Sequence, residues 1–343
     1  MNLIAGIIAN PASGKDIRRL VAHATVFDNL EKVNLIRRIL LGLQAAGVQR
    51  VWVMPDYFNF YEQALDFFIG ENQLTMETKL VPMKWNACQE DSQFAAAKMA
   101  ELGVRCLITL GGDGTNRVVA KGAGDVPIMP VSTGTNNVFS VMLEGTLAGL
   151  AAGLVATGVV EREYSLLRTK KLIIHLNGKA VDIALIDAVV LEDQFIGSRA
   201  IWNMGKVRQI VATRGEPFHI GIAAIVGALH PIDMRAAEGI NLIVAASGEQ
   251  MLDQNQGSII QVKAAVAPGL IRSIPVRSHE LMSPGQKVTV RHRPCVIALD
   301  GEREIIVGPD DCCEIELAQT GPYVVDYKRT LKRAAEKGYF INR

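Results

Sequence analysis

From residue 3 to residue 131 the chain alternates short apolar runs with segments of helical periodicity, and this rhythm is what most restricts its fold. Leu3 to Ala9 is apolar and breaks into the loop Asn10-Pro11-Ala12-Ser13-Gly14, as buried parallel strands do. Glu31 to Ala46 places Val33, Ile36, Leu40 and Leu43 on one helix face, and Gly47 is a natural stop. Arg50 to Met54, Arg105 to Leu110 and Pro127 to Val131 read as further strands. Tyr57 to Phe68, Asp91 to Leu102 and Thr115 to Lys121 read as helices between them. Repeated β-α-β units imply a parallel sheet with helices on both faces.

Near Val159 the pattern changes. Lys171 to Leu176 and Ala180 to Leu191 flank Asn177-Gly178, a strong hairpin signal. Further apolar runs at 218–226, 240–246, 258–266, 287–291, 296–299, 304–307 and 313–317 are punctuated by Gly, Pro and Asp, which favours an antiparallel sandwich. A helix is expected from Ser198, as N-cap, to Thr213. The expected architecture is α/β plus all-β: an α/β nucleotide-binding domain over 1–158 and a β-sandwich over 159–325. A basic C-terminal helix within 326–343 is expected to pack back on the first domain.

Charge excludes little but redirects the search. Of 343 residues, 36 are Lys or Arg and 35 are Asp or Glu. This balance gives no reason to expect a nucleic-acid partner, so any anion must be held by local geometry. No run approaches a membrane span, and the apolar start lacks the basic leader of a signal peptide. The five cysteines are scattered without a CxxC pair, so a reducing cytoplasm is expected. The six histidines show no metal-ligand spacing.

The sharpest motif is Gly111-Gly112-Asp113-Gly114-Thr115, between a strand and a helix. Glycines let main-chain N–H groups crowd around an anion at a helix N-terminus. A carboxylate there makes sense if Asp113 meets Mg²⁺ or accepts a hydroxyl proton. The bland alternative is a glycine turn in which Asp113 caps the helix. One β-α unit later comes Ser132-Thr133-Gly134-Thr135-Asn136-Asn137. In a parallel sheet both loops open on the same edge. The loop with Asn10, Ser13 and Gly14 joins them there. It misses a P-loop, because Asp16 follows Lys15 where Ser or Thr is needed. Asp300-Gly301-Glu302 reads first as a hairpin turn. Lys206, Arg208 and Arg214 read as a solvated helix face.

These loops in this order resemble the NAD kinase and diacylglycerol kinase superfamily. The stretch from Asn10 to Asn29 is similar to its acetoin catabolism protein X branch. The resemblance implies a cleft between the two domains, ATP with Mg²⁺, and phosphoryl transfer to a hydroxyl. It gives Asp113 the roles of base and metal ligand, and it matches Asp300-Gly301-Glu302 to a lipid-kinase motif whose Glu stands near the reacting hydroxyl. Gly111, Gly112, Gly114, Thr115, Thr133, Gly134, Thr135 and Asn136 inherit nucleotide contacts. Where NAD kinases hold NAD with an Asn-Glu pair, this chain has Ile186-Asp187. Asp187 can replace the acid, but Ile186 cannot replace the amide. NAD or a related small molecule is one acceptor, a diacylglycerol-type lipid another, and a non-catalytic nucleotide-binding regulator a third reading. A homo-oligomer is expected.

Overall fold

The computed structural model describes residues 3–14, 27–69, 73–134, 136–193, 195–196, 204–246 and 259–341. The first unit is built on β1 (Ile4–Ala9), β2 (Arg50–Val53), β3 (Glu77–Leu80), β4 (Cys106–Gly111) and β5 (Ile128–Ser132), all parallel, in the order β3-β2-β1-β4-β5. Every residue of β1, β4 and β5 is buried, because helices cover both faces. These helices are α1 (Asn29–Ala45), α2 (Phe60–Asp66), α3 (Glu90–Glu101), α4 (Asp113–Ala123) and α5 (Gly145–Thr157).

The helix α5, which periodicity does not reveal, packs closely on α1. A Cβ on Gly149 would lie 2.2 Å from the Ile39 carbonyl oxygen, so only glycine permits that approach. After the short α6 (Arg162–Ser165), β6 (Leu166–Arg168) leads out of this unit.

The second unit holds β7 (Lys171–Leu176), β8 (Lys179–Ala184), β9 (Asp187–Leu191), β10 (Val207–Ala212), α7 (Ile222–Leu229), β11 (Gly239–Val244), β12 (Ile260–Ala267), β13 (Leu270–Met282), β14 (Lys287–Thr289), β15 (Cys295–Leu299), β16 (Glu302–Val307) and β17 (Cys313–Ala318). Its strands form two antiparallel sheets, ordered β12-β13-β11-β10-β9-β15-β16 and β14-β17-β7-β8. Leu172, Ile174, Val190, Ile297, Leu299, Ile315 and Leu317 fill the core between them. The helix α7 covers the outer face of the larger sheet.

The chain then returns. β18 (Tyr323–Val325) pairs parallel with β5 and antiparallel with β6, completing a seven-stranded sheet in the first unit. The last helix, α8 (Tyr327–Glu336), packs on α5 and α6. This is the expected parallel-sheet α/β unit joined to an antiparallel β unit.

Three local expectations are corrected. Residues 207–212 are strand β10 and not helix; Ser198, its expected N-cap, lies outside the described residues. The run at 218–226 is largely helix α7, because a short buried segment is apolar all round and carries no period. The strand expected over 180–191 breaks at Leu185-Ile186 into β8 and β9, which belong to different sheets. The Asn177-Gly178 turn is present, with both residues at positive φ.

No helix among the described residues is long and apolar enough to cross a membrane.

Candidate functional site

Strands β1, β4 and β5 end side by side, with Ala9 paired to Leu110 and Gly111 to Ser132. Their three loops therefore meet at one edge. Asn10 donates its side-chain amide to Thr115 Oγ1 at 3.0 Å, and the hydroxyls of Ser13 and Thr133 lie 2.9 Å apart. The Lys32 ammonium is fully buried under the first loop. It donates to the carbonyls of Asn10 at 2.9 Å and Ser13 at 2.7 Å, and to Asn29 Oδ1 at 3.0 Å. Its charge is spent on fixing loop shape.

Gly112 caps α4 and lets the helix N-terminus open sideways. A Cβ there would press on Asn137 Oδ1 at 2.9 Å, so glycine keeps the second and third loops in contact. Asn137 in turn donates to Ser132 Oγ at 2.7 Å, and Asn116 to the Gly112 carbonyl at 2.9 Å.

The Asp113 carboxylate accepts three main-chain N–H groups: Val138 at 2.8 Å, Phe139 at 2.9 Å and Ser140 at 3.3 Å. Burial pushes its pKa above the ordinary carboxylate range, against the pull of these amides and of Arg214. Three of roughly four lone-pair positions are thus filled by backbone.

The opposite wall comes from the second unit. The β15–β16 turn carries Asp300 and Gly301 at positive φ. The Asp300 carboxylate accepts the N–H groups of Leu185, Ile186 and Asp187 at 2.7–3.2 Å, just where β8 breaks from β9. Burial pushes it up to about 7, although Arg117 and the amides pull the other way. Glu302 stands beside the α4 N-terminus: a Cβ on Gly114 would lie 3.4 Å from its carboxylate.

Between these walls lies a crevice of about 700 Å³, within the range of small-molecule sites. It is lined by Asn10, Ser13, Gly14, Gly112, Asp113, Gly114, Thr115, Thr133, Gly134, Asn136, Asp187 and Glu302, all expected from sequence. Gly111 lies behind them in β4, and Thr135 is outside the described residues. The lining also includes Asp56, Tyr57, Trp85 and Asp91 from the first unit and Met204, Ile222 and Val266 from the second.

Seven carboxyl side chains line the crevice: Asp56, Glu90, Asp91, Asp113, Asp187, Asp300 and Glu302. No Lys or Arg does so among the described residues.

Two family models match the chain. The ATP-NAD kinase N-terminal domain matches residues 6–164, and the acetoin catabolism protein X C-terminal domain matches residues 170–320. The acetoin catabolism protein X of Cupriavidus necator is 36% identical over 338 residues, covering 96% of this chain and 92% of that protein. The chain belongs to the acetoin catabolism protein X family. This family thus joins an NAD kinase-like first domain to a second domain of its own type. Two solved structures of "a putative diacylglycerol kinase from Bacillus anthracis str. Sterne" align over 94% of the chain and 96% or 97% of theirs. Each has a TM-score of 0.46, with 14% and 12% identity.

Several residues that hold this site together escape a sequence reading. Arg117 of α4 is fully buried and pairs with Asp182 of β8 and Glu304 of β16, each at 2.9 Å, tying the two units together. Arg214, read from sequence as part of a solvated face, is buried. It donates to the Val138 carbonyl, stacks on Phe139 and counters the Asp113 charge. Lys206 and Arg208 do sit near the surface, paired with Asp193 and Glu192. For Lys32 a signal existed, since it interrupts the apolar face of α1 next to Val33 and Ile36. Arg117 and Arg214 give none, because their partners lie 65 to 187 positions away.

Proposed function

We propose that the crevice binds ATP as its Mg²⁺ complex and passes the terminal phosphoryl group to a hydroxyl of NAD or a related small molecule, in the service of acetoin breakdown. One observation carries this reading: the α4 N-terminus, stripped of side chains at Gly112 and Gly114, opens on a crevice across which Glu302 stands. Main-chain N–H groups and the helix dipole at such an end favour phosphate. The NAD kinase-like domain match supports the same ligand class.

The carboxyl-rich lining decides how the nucleotide enters. Seven acids without a neighbouring Lys or Arg among the described lining residues would repel a bare triphosphate. Mg²⁺ commonly takes one or two carboxylates plus phosphate oxygens, so a cluster of three acidic ligands is not required. The remaining acceptor position of Asp113 is the candidate ligand; this leaves Glu302, whose carboxylate has no hydrogen-bond or ion-pair partner among the described residues, available as a base. The metal would neutralise phosphate charge as it is transferred.

The chain's own residues do the rest. The amides from Gly112 to Thr115 cradle phosphate, and Asn10 holds Thr115 in place. Ser13, Gly14, Thr133, Gly134, Thr135 and Asn136 orient the nucleotide. Asp113 shapes the wall at 138–140, Glu302 takes the proton of the attacking hydroxyl, and Asp187 meets the acceptor. The five free cysteines support a cytoplasmic setting.

The test is transfer from labelled ATP to a panel of NAD, NADH, diacylglycerol and small polyols, with wild type and Glu302→Gln side by side. The expected outcome is one labelled product, formed about 10²- to 10⁴-fold more slowly by the variant. Equal turnover in the variant removes Glu302 from the chemistry.

A second reading, a nucleotide-binding regulator, draws on the fact that Asp113 and Asp300 both spend their carboxylates on backbone amides. Calorimetry decides it: tight Mg²⁺-ATP binding without ADP release for any acceptor favours the regulator.

A further inference from the structure

The far end of α4 borders a second cavity. It encloses about 270 Å³, below the usual range for nucleotide-sized ligands, and is lined by Ala120, Lys121, Arg168, Lys171, Ile183 and Gly321 among others. Three cations face it, against one lining carboxylate, Asp125, which is 84% exposed. Lys121 pairs with Asp182 at 3.0 Å, but that carboxylate is shared with Arg117. Arg168 reaches Asp125 at 3.0 Å in a largely solvated pair worth little. Lys171 has no hydrogen-bond or ion-pair partner among the described residues.

An unpaired ammonium held near a guanidinium in a partly buried hollow is a cost to the fold. Burial and Arg168 both push the Lys171 pKa down. The carbonyl end of α4 opposes an anion here, but a helix terminus is worth only about 0.3–1 kcal/mol. The surplus of cations outweighs it.

We propose that this cavity is a binding site for a small phosphate dianion, either inorganic phosphate or the head of a short phosphomonoester, held by Lys171, Arg168 and Lys121. The site straddles the two units. Lys121 comes from α4, whose other end opens on the crevice, while Lys171 begins β7 of the second unit. An anion there joins the units beside the Arg117–Asp182 bridge. This site does not depend on the phosphoryl-transfer reading.

The experiment is a thermal-unfolding titration of the full chain with orthophosphate to about 50 mM, with chloride at matched ionic strength as the screening control. A saturable rise in Tm beyond the chloride control is expected. In Lys171→Met the affinity falls by roughly tenfold or more, as for loss of one charge-assisted contact. Arg168→Met gives an independent second variant if Lys171→Met does not fold. Binding in the large crevice would persist in both, so a wild-type response from a folded variant overturns the proposal. So does the absence of a saturable rise in the wild type. A parallel titration with propyl phosphate separates the two ligand sources: tighter binding than orthophosphate identifies a phosphomonoester, and weaker binding identifies the free ion.

Discussion

Asp113 and Asp300 sit on opposite walls of one crevice and do the same work. Each carboxylate gathers three consecutive backbone N–H groups, 138–140 for Asp113 and 185–187 for Asp300. In each case a loop far away in sequence is pinned to a glycine-flanked turn. Their surroundings differ. The donating residues are buried in both cases, but Asp113 is itself buried with Arg214 close, whereas Asp300 is partly open. The acid at the heart of the glycine-rich motif is thus, in this molecule, as much an architectural residue as the acid of an ordinary hairpin turn. The side chain that reaches the α4 N-terminus is its neighbour across the crevice, Glu302.

The largest expected effect breaks the symmetry of that pair. Asp113→Ala strands three buried N–H donors at about 1–3 kcal/mol each, and removes the charge that most favours the Arg214 cation. Asp300 is itself partly open, so in Asp300→Ala water can enter where the carboxylate was and meet the three donors, and the cost is smaller. Urea midpoints of the two variants check this, with Asp113→Ala expected several kcal/mol below wild type and below Asp300→Ala. It also follows that lost turnover in Asp113→Ala cannot be read as lost chemistry, because the 138–140 wall goes with it. Equal midpoints would mean that the two caps are equally wet.

This explains which parts of the site were legible in the sequence. Gly111 to Thr115 and Ser132 to Asn137 announce loops between strand and helix, because glycine and the switch of period are local signals. The carboxylate's partners are not local. Nothing near Asp113 says that its acceptor capacity is used at 138–140, and nothing near Leu185-Ile186 says that a turn 115 positions later ends the strand. The same limit hid β10 and α7. Val-Arg-Gln-Ile-Val-Ala becomes strand because β9 and β11 flank it, and Ile-Ala-Ala-Ile-Val-Gly-Ala-Leu becomes helix although every position is apolar or small. For α5, glycine lowers helix propensity, but close approach to α1 repays the loss.

A smaller effect sharpens the comparison through pH. The Asp300 pKa is raised from 3.8 in the unfolded chain to about 7 in the folded one. Between those values the folded state binds the proton more tightly than the unfolded state. Stability from this group is therefore fully present below about pH 4, declines as pH rises, and is flat above 7. In Asp300→Asn the side-chain oxygen still accepts the amides, and the slope disappears. Urea midpoints at pH 5 and pH 7.5 should show the wild type losing ground to Asp300→Asn as pH rises. Asp56, raised to about 6, contributes the same sign to both proteins and cancels in the difference. A difference between the two proteins that stays flat over this range would mean that Arg117 keeps Asp300 ionised throughout.

The smallest expected effect on the fold is the one that separates Glu302 from both aspartates. Its carboxylate caps no amide and joins no ion pair among the described residues. It does lie at a helix N-terminus, where a negative charge is worth about 0.3–1 kcal/mol, but it shares the crevice with six other carboxyl groups that disfavour that charge. The two terms oppose each other, so Glu302→Gln should leave the urea midpoint within about 0.5 kcal/mol of wild type. A residue that can lose its charge without cost to the fold, while facing the helix end proposed to hold phosphate, would be placed for chemistry and not for architecture. If Glu302→Gln instead destabilises the protein as Asp113→Ala does, its carboxylate is a third backbone cap, and the division of labour across the crevice is wrong.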